Sequence, residues 1–324
     1  MRHLLAGLGR RLIREVPGVA AMLLIISMIS FALVALLPGD LATLMLGETA
    51  TAEAVTDLQR ELGTQRPLHE RYGQWLLAAL QGDVGRLHHT GLSVADAMAE
   101  RIPVTLELMA LTLVLSVVIA VPLGVLTGFR PGRTVDRVLM NTSLTFLSAP
   151  AFLIGIVLVY LFAIHLEWLP ATGWVPLAED LGANLRSLAL PVAALVLHDV
   201  PIYMRVLRRE ITHVLQQDYI LLARAAGLSR RTILWRSALR PASVNLITAV
   251  GLGVGRLLGG AMTVEVLFGL PGLGQLLVEA VFRHEYALMQ GIVLFIAAGY
   301  VAINLVVDLL CAALDPRLRD GELE

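Results

Sequence analysis

Residues 218–241 read D-Y-I-L-L-A-R-A-A-G-L-S-R-R-T-I-L-W-R-S-A-L-R-P, between two long apolar runs. The stretch is both basic and amphipathic. Arg224, Arg230, Arg231, Arg236 and Arg240 supply charge, while Ile220, Leu222, Leu228, Ile233, Leu234 and Trp235 supply an apolar face. Small residues Ala223, Ala225 and Ala226 lead into Gly227. Glycine adopts dihedrals that other residues avoid, so the helix is expected to break there. Ser229 is placed to cap a following helix. Two short helices meeting at a glycine, with small residues at the elbow, would make a knob that another protein can grip. A juxtamembrane helix held to anionic lipid by arginine would share this composition.

The rest of the chain sets this loop in a membrane. Of 324 residues, 57% are hydrophobic and 16% are charged, against about 25% charged in soluble domains; the mean hydropathy is +0.75. Net charge is −1, which leaves no nucleic-acid footprint. The basic side chains other than histidine are all arginine. The single cysteine, Cys311, lies in the last apolar run, where it reads as a small core hydrophobe.

Crossing the hydrocarbon takes about 20 apolar residues. Six runs qualify, at roughly 16–37, 105–128, 138–165, 188–207, 243–267 and 288–313. The first follows Arg10, Arg11 and Arg14 like a signal peptide, but it is too long and has no clean cleavage site, so a retained helix is expected. Arginines cluster in the N-terminal tail, at Arg130, Arg133 and Arg137, in 218–241, and at Arg317 and Arg319. Six spans put all four clusters on one side, making both termini cytoplasmic. The 38–104 segment, richer in acids than bases, falls on the other side. Helices are expected there at Ala52–Leu62 and Leu68–Leu80, the second started by Pro67. The resulting division is 1–37 (tail and first span), 38–104 (extracytoplasmic), 105–313 (five-helix core carrying the loop 209–241) and 314–324 (tail).

Residues 218–241 resemble the EAA loop of ABC-importer permeases. The version in the dipeptide, oligopeptide and nickel permease family runs roughly Tyr, three residues, Ala-Arg-Ala, any residue, Gly-Leu; Tyr219, Ala223, Arg224, Ala225, Gly227 and Leu228 fit it. Leu221 stands where the older consensus has a glutamate. Family-like phrases recur at 37–40 (L-P-G-D), 62–68 (L-G-T-Q-R-P-L), 72–76 (Y-G-Q-W-L), 82–85 (G-D-V-G), 101–108 (R-I-P-V-T-L-E-L) and 264–274 (V-E-V-L-F-G-L-P-G-L-G). The resemblance implies an all-α type I importer permease of the bacterial inner membrane, forming half of a translocation pathway for peptides, nickel, metal chelates or related solutes. It implies a homologous second permease, two ABC ATPases engaging the cytoplasmic loops of the pair (here the six loop residues), and an extracytoplasmic solute-binding protein.

No G-x-x-x-x-G-K-[ST] is present, so ATP and magnesium are expected on partner ATPases and no cofactor on this chain. No catalytic residue and no metal site are expected; His88 and His89 read as a solvated loop. Polar residues inside spans are costly and mark function. Asn141 and Ser148 in the third run, His198 and Asp199 in the fourth and Arg256 in the fifth are therefore candidates for the pathway wall. Gly251, Gly253, Gly255, Gly259 and Gly260 would let the fifth helix approach a neighbour closely. An ion-coupled transporter would want paired intramembrane carboxylates, for which Asp199 and Asp308 are available. An intramembrane hydrolase would have only Ser143, Ser148 and His198 to work with.

Overall fold

The computed structural model describes residues 2–35, 51–61, 66–88 and 90–314. The phrase at 37–40, His89 and the tail 315–324 lie outside the described residues, as do the side chains of Arg10, Arg11, Arg14, Asp308 and Cys311. Helices follow one another as α1 (Arg2–Ala35), α2 (Ala52–Glu61), α3 (Leu68–Leu80), α4 (Val94–Phe129), α5 (Thr134–Ser148), α6 (Ala151–Leu158, continued by a π-helical turn Val159–His165), α7 (Leu181–Val214), α8 (Asp218–Ala225), α9 (Leu239–Phe268, entered through a π-helical turn Ile233–Ala238), α10 (Leu273–Phe282) and α11 (Tyr286–Leu314). Among the described residues there is no strand, only an isolated bridge between Arg86 and Ser93.

Among the described residues, four helices are long and apolar enough to cross a membrane, or five if one bent pair is a single span. The described apolar part of α1 is Val16–Ala32. The third expected span departs most from expectation. Residues 138–165 do not form one straight helix; α5 and the α6 segment meet at 100°. Pro150 disfavours helical dihedrals at the residue before it, and Ala149 is extended, with φ −97° and ψ 127°. The other spans overrun their apolar cores. α4 begins at Val94 rather than 105, because its first turns are polar helix that needs no hydrocarbon. α7 extends both ways, to Leu181 and Val214.

The described residues fall into two compact units, 1–104 with 271–301 and 105–270 with 302–324. In the first, Val94, Met98, Leu273, Leu276, Ala280, Leu288 and Ile292 form the core. The loop before α4 is fixed by polar contacts: the His88 backbone N–H donates to the buried Glu285 carboxylate at 2.8 Å. Gly82 and Gly85, with φ of +88° and +108°, make the turns of the G-D-V-G phrase, and Asp83 accepts from the Gly85 N–H at 3.0 Å.

In the second unit, α7 is the central helix, buried along most of its length. α4 comes close to it at Gly124 and Gly128, where a Cβ would lie 3.0 Å from Leu207 Cβ and Ile211 Cβ respectively. α9 comes close at Gly253, where a Cβ would run into the Tyr203 hydroxyl. At Gly251 a Cβ would stand 2.5 Å from Val307 on α11. Thus two of the five glycines read as a packing stripe leave no room for a side chain, while Gly259 faces open space and Gly260 makes ordinary contact.

Candidate functional site

The 209–241 segment is mostly helical. Residues 209–214 complete α7, a short turn follows, and α8 runs from Asp218 to Ala225. α8 ends in a Schellman turn: Leu228 N–H reaches Ala223 C=O at 3.1 Å and Gly227 N–H reaches Arg224 C=O at 3.0 Å. Gly227 carries φ +80° with nothing within 4 Å of where a Cβ would sit. Backbone conformation, not space, is therefore what requires glycine there. Ser229 caps the next helix, accepting from Thr232 N–H at 3.2 Å. That next helix is not a second short one. A single turn, Arg230–Thr232, passes through the π-helical turn straight into α9, so the knob is continuous with the helix that carries Arg256.

The knob is anchored by Ile220, fully buried with Ile211, Val214, Ile233, Leu234 and Ala238. Ala223 packs against the same cluster. Pro241 has no N–H to offer the Ser237 carbonyl one turn earlier; the Tyr219 hydroxyl donates to that carbonyl in a long bond of 3.4 Å. The outward face carries Leu222, 70% exposed, with Leu228, Trp235, Arg224 and Ala225. An exposed apolar surface rimmed by arginines is suited to protein contact.

At the root of this element, Arg208 near the end of α7 grips Asp136 on α5 with two bonds, Nε to Oδ1 at 2.6 Å and Nη2 to Oδ2 at 2.9 Å. Asp136 also accepts from the Gly132 N–H at 2.7 Å. This forked pair fixes the α4–α5 turn to the helix that leads into the knob.

The intramembrane candidates fall into two places. Ser148 and His198 lie at the bend. Pro150 starts a new helix, leaving the Ala149 carbonyl outside it, and a His198 ring nitrogen stands 3.3 Å from that oxygen. A carbonyl only accepts, so the nitrogen carries the proton. Ser148 is exposed but returns its hydroxyl to Leu144 C=O at 2.9 Å; Asn141 is exposed further along α5. Asp199 and Arg256 lie where α7 and α9 cross. Asp199 is 2% exposed and its Oδ2 has no hydrogen-bond partner. One turn on, Tyr203 is fully buried with its hydroxyl unpartnered. That hydroxyl lies against Gly253, and Arg256 Nη2 lies 3.2 Å from the same Gly253 Cβ position. Arg256 itself is exposed on the surface of the chain. Among the described residues no cluster of three metal-binding side chains occurs.

Residues 120–320 match the family model of the binding-protein-dependent transport system inner membrane component, and residues 8–109 match the model of its N-terminal region. The chain belongs to this family of ABC-importer permeases. A protein of Brucella abortus (strain 2308) named for a peptide transport system permease is 36% identical over 308 residues, covering 95% of this chain and 98% of its own length. The glutathione transport system permease of Escherichia coli (strain K12) is 33% identical over 307 residues, 95% of this chain and 98% of the relative. In fold, a chain of the inward-facing MetNI methionine ABC transporter matches with a TM-score of 0.56 at 17% identity, covering 67% of this chain and 96% of that one. The permease is thus a membrane-embedded transport subunit, not an enzyme, and works with ATPase and solute-binding partners. The ion-coupled reading finds no support in these relatives.

Three features of the permease escaped the sequence reading. Tyr203 carries no motif, and a tyrosine in an apolar run looks like ordinary core. Asp136 and Arg208 are 72 positions apart, beyond any local pattern. Glu265, fully buried and accepting from the Thr105 hydroxyl at 2.7 Å, sits inside the recognised phrase at 264–274 and could have been suspected, since a carboxylate in an apolar helix must be satisfied.

Proposed function

We propose that this permease forms half of a peptide-translocation pathway, with a homologous second permease forming the other half. Two ATPases engage the loops of the two permeases, and this chain's knob is gripped through Tyr219, Ala223, Arg224, Ala225, Gly227 and Leu228. Both termini and the knob face the cytoplasm, the 38–104 segment faces the binding protein, and six spans cross the membrane. The observation that carries this reading is the knob's construction: an exposed apolar and arginine surface, anchored by a buried Ile220 and continuous with α9. Movement imposed on the knob would pass along α9 to Arg256. The names of the relatives, peptide and glutathione permeases, support a peptide solute.

Asn141, Ser148, His198, Asp199 and Arg256 line the pathway in this proposal. A guanidinium near mid-membrane cannot face lipid without a cost of about 3 kcal/mol or more. Arg256, exposed on the isolated chain, would face the partner permease across water and attract the solute's carboxylate. The importer, reassembled with its partner chains in proteoliposomes, should take up a pool of radiolabelled di- and tripeptides in an ATP-dependent manner. Arg256→Ala should cut that uptake about tenfold, equivalent to losing one charge-assisted contact of about 1.4 kcal/mol. Arg256→Lys should be intermediate, because lysine lacks the bidentate fork. A lowered melting temperature or a split complex in Arg256→Ala, with a thiol at 256 silent to aqueous reagents, would make Arg256 structural instead.

A further inference from the structure

The crossing of α7 and α9 has a definite register. Leu195 on α7 meets α9 at Gly260, where a Cβ would lie 3.5 Å from Leu195 Cδ2. Further along α7, the Tyr203 hydroxyl meets Gly253. The helices therefore run antiparallel, and a charge stands near the middle of each stretch: Asp199 between Leu195 and Tyr203, Arg256 between Gly253 and Gly260. Residues 195–203 hold no second carboxylate, and 253–260 hold no second cation.

The two charges differ in what they can touch. Arg256 is exposed on the chain, whereas Asp199 is buried and its Oδ2 accepts no hydrogen bond. Arg256 Nη2 folds back to 3.2 Å from the Gly253 Cβ position, against which the Tyr203 hydroxyl also lies. Arg256 and, after it, His198 are the basic groups whose fields reach Asp199; the His198 ring is turned to the Ala149 carbonyl. A buried carboxylate needs a cation close by, and here that cation is the exposed Arg256. At a low effective dielectric constant a buried charge also acts on its surroundings without contact.

We propose that Asp199 is a specificity-determining counter-charge. From behind Arg256 it offsets the guanidinium's field on the pathway, so that the site favours peptides of zero net charge over peptides with an extra carboxylate. This rests on the reading of Arg256 as a pathway residue that meets the solute's carboxylate. At short range the guanidinium N–H groups still bind that carboxylate, while at longer range the two opposite charges cancel.

The test uses the assembled importer with its binding protein in proteoliposomes. Two radiolabelled pools are supplied: di- and tripeptides of zero net charge, and peptides of the same lengths carrying one glutamate. The readout is the ratio of initial uptake rates, acidic to neutral. Both pools cross the same complex, so a loss of folded protein cancels from the ratio, and the binding protein's preference is common to all variants. Asp199→Asn, nearly isosteric, should raise the ratio about tenfold, the order of one unit charge acting across roughly 10 Å at an effective dielectric constant of about 20. Tyr203→Phe removes a buried hydroxyl at the same crossing but no charge, and should leave the ratio at its wild-type value. If Asp199→Asn does not assemble, Asp199→Ser takes its place, neutral and able to bond the carbonyl one turn back. A ratio unmoved by the neutral variant, or moved as far by Tyr203→Phe, overturns the proposal. Arg256→Ala separates the two readings. If it leaves both pools at the wild-type rate, Arg256 does not meet the solute and the proposal falls with that reading. If it lowers uptake of the neutral pool while Asp199→Asn leaves the ratio unchanged, only the role of Asp199 falls.

Discussion

Replacing Gly227 with valine should abolish ATP-dependent uptake and strip the ATPases from the purified complex, while the membrane helices stay folded. Gly227 holds φ +80°, where a β-branched residue costs about 2 kcal/mol. The two Schellman bonds from Leu228 and Gly227 would be lost, and α8 would no longer turn back at its end. Space is not the obstacle, since the Cβ position is open. Gly227→Asn should therefore keep much of the activity, because asparagine tolerates the left-handed region. The readouts are ATPase copurification and uptake, with far-ultraviolet circular dichroism as the control. Equal failure of both variants would show that a partner needs the bare glycine surface and that the turn itself is not what matters.

Gly253→Ala should damage the permease at its centre. The added methyl would run into the Tyr203 hydroxyl, and Tyr203 is fully buried. Overpacking of this kind costs about 3 kcal/mol at the upper end of its usual range. The expected result is a lower melting temperature of the assembled complex and loss of uptake. Tyr203→Phe in the same chain should recover part of the loss, since it removes the atom nearest the new methyl. The ring carbon Cζ would still stand 2.9 Å from it, so recovery is incomplete. Unchanged melting in the single variant would mean that α7 and α9 do not meet here as closely as described.

What could be read in advance depended on how local the cause was. Gly227, Ser229 and Pro67 act within a few residues, and each was legible because glycine, proline and capping serine have few roles to choose from. Helices 52–61 and 68–80 followed from the same punctuation. The bend at Ala149 was written in the sequence as Pro150, but the largely apolar run around it suggested one span. In lipid both faces of a helix can be apolar, so the 3.6-residue periodicity that would show a change of direction disappears.

The candidate site divides in the same way. The knob's six residues were recognisable as a motif, yet Ile220 read as one apolar residue among several, and only packing distinguishes it as the anchor. Asp199 and Arg256 were conspicuous as charges in apolar runs. Their relation to Tyr203 was not, because it depends on Gly253 bringing α9 against α7. Asp136 and Arg208 belong to no local pattern, and only the fold places one beside the other.

The central claim is that residues 218–241 are where ATP-driven motion enters this chain, and it can be tested by contact. A photoreactive benzoylphenylalanine at position 222, the most exposed apolar point of the knob, should cross-link to an ATPase subunit when the assembled importer is irradiated in its native membrane. The same group at Leu153, exposed on α6, should give no ATPase adduct. An ATPase adduct specific to position 222 is the predicted result; adducts to lipid alone at 222, with ATPases present and bound, would contradict the account.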